Sequence, residues 1–259
     1  MERWQGRVAL VTGASAGIGA GICRTLVKHG MVVVGCARSA HRIEALAQED
    51  DVKSAPGKLH AIKCDLTKES EIQHMFEEIR EKFGRIDVCI NNAGFSYSCP
   101  LLTGEMSQWR EMLEVNILAL CMCTREAVKL MQENDIDDGQ IIQISSIGGH
   151  RLVPASMAAF NFYCGTKFMV QTLTEGLRRE LRSLKSHIRV TAVGPGMVKT
   201  EFAKRAFGEE AARKFSEDYP PINTALQPED IANAVTYVLS TPPHVDVNDI
   251  IIRPVEGEF

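Results

Sequence analysis

The chain has 259 residues, 45% of them hydrophobic, and a formal net charge of −4. It is long enough to bury a large α/β core, and its acidic balance argues against a nucleic-acid binder, which would carry a basic face. Eight cysteines are present; none forms a C-x-x-C pair and most lie in apolar runs, so they read as reduced thiols of a cytoplasmic protein rather than a disulfide framework or a zinc site, and no metal is expected.

The opening "MERWQGRVAL" is interrupted by Glu2, Arg3 and Arg7 and fits no signal peptide. "RVALVTG" then reads as a first strand and "GAGICRTLVKHG" as a helix stopped by Gly30. "MVVVGCAR" is a second, buried strand, followed by a helix over Arg42–Gln48. "LHAIKCDL" is a third strand, and Glu69–Phe83 a helix ended by Gly84. "IDVCINNAG" is a fourth strand and Gln108–Glu133 one long helix. Its apolar stretch Ile117–Cys123 is the longest in the chain and far too short to span a membrane, so no membrane insertion is expected. "GQIIQISS" is a fifth strand, Phe160–Leu184 a second long helix and "IRVTAVGPG" a sixth strand. A polar helical stretch, a helix over Pro228–Ser240 and a seventh strand, "DIIIRP", complete the series. The loosest segments are Asp50–Lys58 and Met197–Ala225. Buried strands without alternation, each followed by a helix, specify a Rossmann-type doubly wound α/β fold, with about seven parallel strands and helices on both faces.

"TGASAGIG" joins the first strand to the first helix, with Gly13, Gly17 and Gly19 inside eight residues. Glycine permits positive φ and close backbone approach, and the helix N-terminus behind the loop favours an anion. Thr12–Gly19, including Ala14, Ser15, Ala16 and Ile18, is therefore expected to cradle a dinucleotide phosphate. At the end of the second strand, where an acidic residue would bind the ribose 2′-hydroxyl of NAD, the chain has Ala37 and then Arg38. A guanidinium pairs with a 2′-phosphate and a carboxylate repels it, so the cofactor is expected to be NADP, with Arg38, Ser39 and Glu44 at that end. Asp65, with Leu66 beside it, fits an adenine contact; a helix-capping aspartate is the competing reading.

These features, together with "NNAG" at 91–94, Asn116 in "LEVN", Ser146 in "ISSIGG", "YCGTK" at 163–167 and "GPG" at 194–196, resemble the short-chain dehydrogenase/reductase family. The matches run from residue 8 to about 200, in order and on the right elements. The resemblance implies one domain over 1–259, with 8–150 mainly binding the cofactor and 151–259 carrying the catalytic helix, the substrate loop and the last strand. It implies Tyr163 as the acid/base, Lys167 as the cation beside it, Ser146 as the donor to the substrate oxygen, and Asn116 as a link in a water-mediated relay to Lys167. It also implies that Asn92, Val198 and Thr200 face the cofactor, and that subunits pack as dimers or tetramers.

Further stretches, "GCAR", "CTREA", "TEGLRRELR" and "YVLSTPPH", are similar to one branch of that family. That similarity implies NADP-dependent interconversion of a lipophilic ketone or aldehyde and its alcohol, such as a 3-keto or 17-keto steroid, with farnesol or another terpenoid alcohol as the alternative. An NADP-binding regulator without turnover is a more remote reading, since Ser146, Tyr163 and Lys167 would then serve no purpose. The separation of Ser146 from Tyr163 is longer than usual in the family, the extra residues falling within "GHRLVPASMAAFNF", where the substrate pocket is expected. His150, Leu152, Met157, Phe160, Phe202 and Phe207 are its candidate apolar wall.

Overall fold

In a computed structural model, residues 1–210 and 225–256 are described. Seven strands form one parallel sheet: β1 (Val8–Thr12), β2 (Val32–Ala37), β3 (Lys58–Lys63), β4 (Val88–Asn91), β5 (Gln140–Ile144), β6 (Arg189–Pro195) and β7 (Asp249–Ile252). Their order is β3-β2-β1-β4-β5-β6-β7, so the winding reverses between β1 and β4. That reversal opens a crevice at the carboxyl ends of the two strands, where open α/β sheets bind ligands.

The central strands are buried on both faces because both faces are covered, whereas the edge strands β3 and β7 are partly exposed. On one side Ala9, Val11, Val33, Ile90, Ile142 and Val193 pack under α1 (Gly17–Lys28) and the helix Pro228–Ser240. On the other, Val8, Leu10, Val34, Cys89, Ile141 and Val190 pack under α4 (Glu69–Phe83) and α6 (Leu120–Glu133). Successive β1 residues thus alternate between two cores. All eight cysteines are unbridged and seven are buried.

Helix ends follow local chemistry. Gly84 closes α4 at φ +71, a left-handed conformation that glycine adopts without a Cβ penalty. Pro228 starts the last described helix, capped reciprocally by Gln227 and Asp230.

Four details differ from the sequence reading. α2 (Ala40–Gln48) starts two residues early, and the stretch expected to be loose after it includes a helical turn, α3 (Asp50–Lys53). The long helix expected over 108–133 is α5 (Met106–Leu113), a π-helical stretch (Glu114–Ala119) and α6. A 3-10 turn (Ala155–Phe160) precedes α7 (Asn161–Ser183). The polar helical stretch expected before Pro228 includes a short helix, α8 (Phe202–Phe207); of the region 197–225, residues 211–224 lie outside the described residues.

Candidate active site

A cleft of about 650 Å³ opens at the β1–β4 crevice. One end is the loop between β1 and α1. Gly13, Ser15, Ala16, Gly17 and Ile18 line it, whereas Ala14 and Gly19 do not. Ala14 is buried beneath, against Gly35, and a Cβ on Gly19 would lie 2.3 Å from the Gly13 carbonyl oxygen. Gly19 packs against the loop itself, where no side chain would fit. Gly13 and Gly17 adopt φ of +66 and +54, and at Gly17 a side chain would meet Thr200.

The loop is held from below. Thr12 Oγ1 accepts the backbone N–H groups of Asn92 and Ala93, both at 3.0 Å. The Asn92 amide donates back to the carbonyls of Thr12 and Gly13, at 2.9 and 3.2 Å. Asn92 does line the cleft, but its side-chain donors are spent on shaping the loop.

At the far end Arg38, Ser39, Arg42, Asp65, Leu66 and Thr67 line the wall. Arg38 is exposed, and no ion pair to it is found among the described residues. Asp65 accepts from the Thr67 backbone N–H and hydroxyl, at 3.1 and 2.9 Å, so it closes a local turn rather than capping α4. Burial opposes its ionisation, yet those bonds and the nearby Arg38 and Lys68 charges hold the carboxyl below its usual range. Glu44 is exposed on α2 and does not line the cleft. Arg42, not singled out in the sequence, is on the lining; its signal was a second cation four residues after Arg38, in the first turn of α2.

Tyr163 and Lys167 stand one turn apart on α7, on one face. Lys167 is 4% exposed; its Nζ donates to the Ile144 carbonyl at 2.9 Å and lies 5.7 Å from the centre of the Tyr163 ring. Burial lowers the Lys167 ammonium to about 8. Burial also raises the Tyr163 phenol above its ordinary value, while a hydrogen bond from Ser146 opposes that rise. Ser146 starts the turn Ile147–Gly149, where its Oγ accepts from Gly148 N at 3.1 Å. Ser145 lines the cleft and Ser146 does not, but it is Ser146 that meets the Tyr163 hydroxyl.

Asn116 sits in the π-helical stretch, and its side chain is fully committed. Oδ1 accepts from Phe95 N, and Nδ2 donates to the Phe95 carbonyl and to Thr166 Oγ1, at 3.0, 3.0 and 3.1 Å. Gly94 fits between, since a Cβ there would come within 3.3 Å of Asn116 Oδ1 and 3.4 Å of Lys167 Nζ.

The segment 200–207 covers the cleft. Phe202 packs edge-on to Tyr163, with ring centres 5.5 Å apart, and Phe207 edge-on to Phe160. Arg205 lies 3.6 Å over the Phe95 ring and pairs with Glu111 at 3.2 Å, whose other oxygen accepts from the Tyr97 hydroxyl. Val198 faces the core and bridges to Leu226 instead of lining the cleft. Leu152 is exposed, Met157 is half-buried off the lining, and His150 sits beside the cleft. Of the proposed apolar wall, Phe202 is on the lining, joined by Phe95 and Val115, which the sequence reading missed.

The donor set fits an anionic dinucleotide. Bare backbone and a helix N-terminus occupy one part, guanidinium groups one end, and a lysine–tyrosine pair the other end. The short chain dehydrogenase profile matches residues 7–211. The chain belongs to the short-chain dehydrogenase family. This short-chain dehydrogenase is 53% identical over 256 residues to dehydrogenase/reductase SDR family member 11 of Gallus gallus, covering 99% of each chain. It is 41% identical to the farnesol dehydrogenase of Aedes aegypti, over 100% of both chains. Among solved structures, the closed form of a serine dehydrogenase complexed with NADP+ superposes with a TM-score of 0.85 at 31% identity, covering 97% of this chain and 96% of that one. No helix among the described residues is long and apolar enough to cross a membrane.

Proposed function

We propose that this oxidoreductase uses NADP(H) to interconvert a lipophilic ketone or aldehyde and its alcohol, with Tyr163 as acid/base. The observation that carries the reading is Tyr163 on the wall of the glycine-loop cleft, one turn from the buried Lys167, whose Nζ lies 5.7 Å from the tyrosine ring centre. Gly13, Ser15–Ile18, Arg38, Ser39, Asp65, Leu66 and Thr200 would hold the dinucleotide. When bound, its nicotinamide gives or takes the hydride. Tyr163 donates its proton to the substrate oxygen in reduction and removes it in oxidation. A free phenol, at about 10, is a poor base at neutral pH. The Lys167 charge favours the phenolate, and Ser146 donates to the substrate oxygen as negative charge develops there. Phe95, Val115 and Phe202 supply the apolar wall that a steroid or terpenoid needs.

The names of the similar proteins put keto steroids and farnesol first among the substrates to try. A homodimeric or homotetrameric enzyme fits the exposed Leu118, Phe168 and Met169, apolar side chains that a second copy would cover. The test is turnover by the purified protein of steroid, terpenoid and quinone carbonyls with NADPH, and of farnesol with NADP+. Consumption of NADPH by at least one lipophilic carbonyl is expected. Tight NADPH binding without turnover across the whole panel would replace this reading with that of a silent NADP-binding regulator.

A further inference from the structure

Beside the Ser146–Tyr163 pair, four polar side chains from four separate elements converge. Ser145 follows β5, His150 closes the turn that Ser146 opens, Gln171 lies on α7 and Asp249 starts β7. Gln171 Nε2 donates to Ser145 Oγ at 3.2 Å and stands 2.8 Å from His150 Nε2. The same imidazole nitrogen is 3.4 Å from Asp249 Oδ2. A neutral ring accepts from the amide; a protonated ring donates to the carboxylate, with the amide turned over, so the ring is anchored in both states.

The surrounding backbone accommodates this crossing. A Cβ on Gly194, in β6, would lie 3.3 Å from His150 Nε2 and 3.4 Å from the Ser146 carbonyl oxygen. Gln171 is four positions beyond Lys167 and eight beyond Tyr163, so all three project from one face of α7. The turn Ile147–Gly149 is only three residues long, closed by Gly149 N donating to the Ser146 carbonyl at 2.9 Å and His150 N to that of Ile147 at 3.0 Å. Ser146 at one end of so short a turn moves with His150 at the other.

We propose that His150, anchored by Gln171 and Asp249, is a positioning residue that sets the Ser146 hydroxyl against Tyr163. This rests on the reading that Ser146 and Tyr163 act on the substrate oxygen. The network joins the serine turn to the same helix face that carries Tyr163 and Lys167, and it ties both to the last strand. A reacting hydroxyl displaced by an ångström forfeits much of its effect even when every reacting group is still present.

The test is a double-mutant cycle on the full-length enzyme, with phenanthrenequinone and NADPH as the probe. His150→Leu is expected to lower kcat about tenfold or more, while KM for the quinone and Kd for NADPH stay within about twofold. His150→Gln, whose amide can again meet Gln171 and Asp249, should recover most of the loss. In a Ser146→Ala background, His150→Leu should cost nothing further, because the group it positions is gone. Full kcat in His150→Leu, equal losses in the Leu and Gln variants, or a loss that adds to that of Ser146→Ala would each overturn the proposal. If His150→Leu does not fold, Gln171→Leu removes the same bond from the helix side, and there full kcat, or a loss that adds to that of Ser146→Ala, would overturn the proposal. Should Ser146→Ala itself keep full kcat, the assignment of Ser146 falls, and the positioning role with it; a damaging Ser146→Ala beside a harmless His150→Leu defeats the positioning role alone.

Discussion

Arg42 holds Glu201 in a two-pronged ion pair, with both N–H···O distances at 2.9 Å, and so ties α2 to the segment that covers the cleft. Both side chains are about half exposed and both line the cleft, so the pair contributes at most ~1 kcal/mol to stability. Its larger effect is on an anionic ligand. Glu201 places a carboxylate beside the proposed phosphate sites and occupies a guanidinium that could face them. Glu201→Gln is expected to leave the melting temperature almost unchanged and to tighten NADPH binding several-fold, with a steeper salt dependence. Fluorescence titration at two ionic strengths measures this. Weaker binding would mean that the pair organises the cover instead of competing with the cofactor.

Tyr163→Phe should abolish turnover yet leave NADPH binding nearly intact. The ring keeps its edge-on contact with Phe202, and only the hydroxyl that meets Ser146 is removed. Loss of a general acid/base costs roughly 10²–10⁴-fold in kcat. Calorimetric titration of NADPH into the variant, beside a turnover assay, separates the two effects. A variant with substantial turnover would release Tyr163 from its role.

The sheet was legible because the central strands are short, largely apolar runs rich in Val and Ile and the crossovers carry helical periodicity, which together leave few alternatives to a doubly wound fold. Tyr163, Lys167 and Ser146 were legible as a motif set. The π-helical stretch was not: "LEVNILAL" satisfies helical periodicity equally well in either register. The register is fixed by the bonds of Asn116 to Phe95, 21 residues earlier in the chain. Nor can spacing tell which glycine faces a ligand. Gly17 lines the cleft and Gly19 packs on Gly13, a distinction decided by the approach of α1 to β1. Glu44 and Arg42 sit on one helix two residues apart, and only the docking of α2 decides which of them faces the crevice. Pairs such as Arg42 with Glu201, 159 positions apart, leave no local pattern at all.

Arg38→Asp should invert the cofactor preference. Arg38 is exposed at the end of the cleft beside Asp65, whose carboxyl its charge helps to keep ionised. A charge-assisted contact to a 2′-phosphate contributes roughly 1.5–3 kcal/mol, about ten- to a hundredfold in affinity or somewhat more. The aspartate would repel that phosphate and could accept from the 2′-hydroxyl of NADH, so both effects act in one direction. The ratio of kcat/KM for NADPH over NADH, wild type against variant, is the measurement. A wild-type preference for NADH, or a ratio that does not move, would reduce Arg38 to a solvated residue at a strand end.

Lys167→Met should inactivate the enzyme and, in the absence of cofactor, stabilise the fold in a pH-dependent way. The ammonium is buried with one hydrogen bond, to the Ile144 carbonyl, and burial lowers it from 10.5 to about 8. Below pH 8 the folded protein carries this buried charge at full cost, roughly 3 kcal/mol for a depression of this size. The bond to Ile144 returns about 1 kcal/mol of that, leaving a net gain for methionine of roughly 2 kcal/mol at neutral pH. Between about pH 8 and pH 10.5 the folded lysine has lost its proton while the unfolded one keeps it. The unfolded state then binds more protons, so the stability contributed by this site rises with pH, and the advantage of methionine falls by roughly 3 kcal/mol across the window, through zero and slightly in favour of lysine. Other groups that titrate in this range, the buried thiols and Tyr163, are common to both proteins and cancel in the difference. Urea denaturation of both proteins at pH 7 and pH 10 gives that difference directly. An advantage that is equal at the two pH values, or that grows with pH, would show that the folded protein does not hold Lys167 as a desolvated cation.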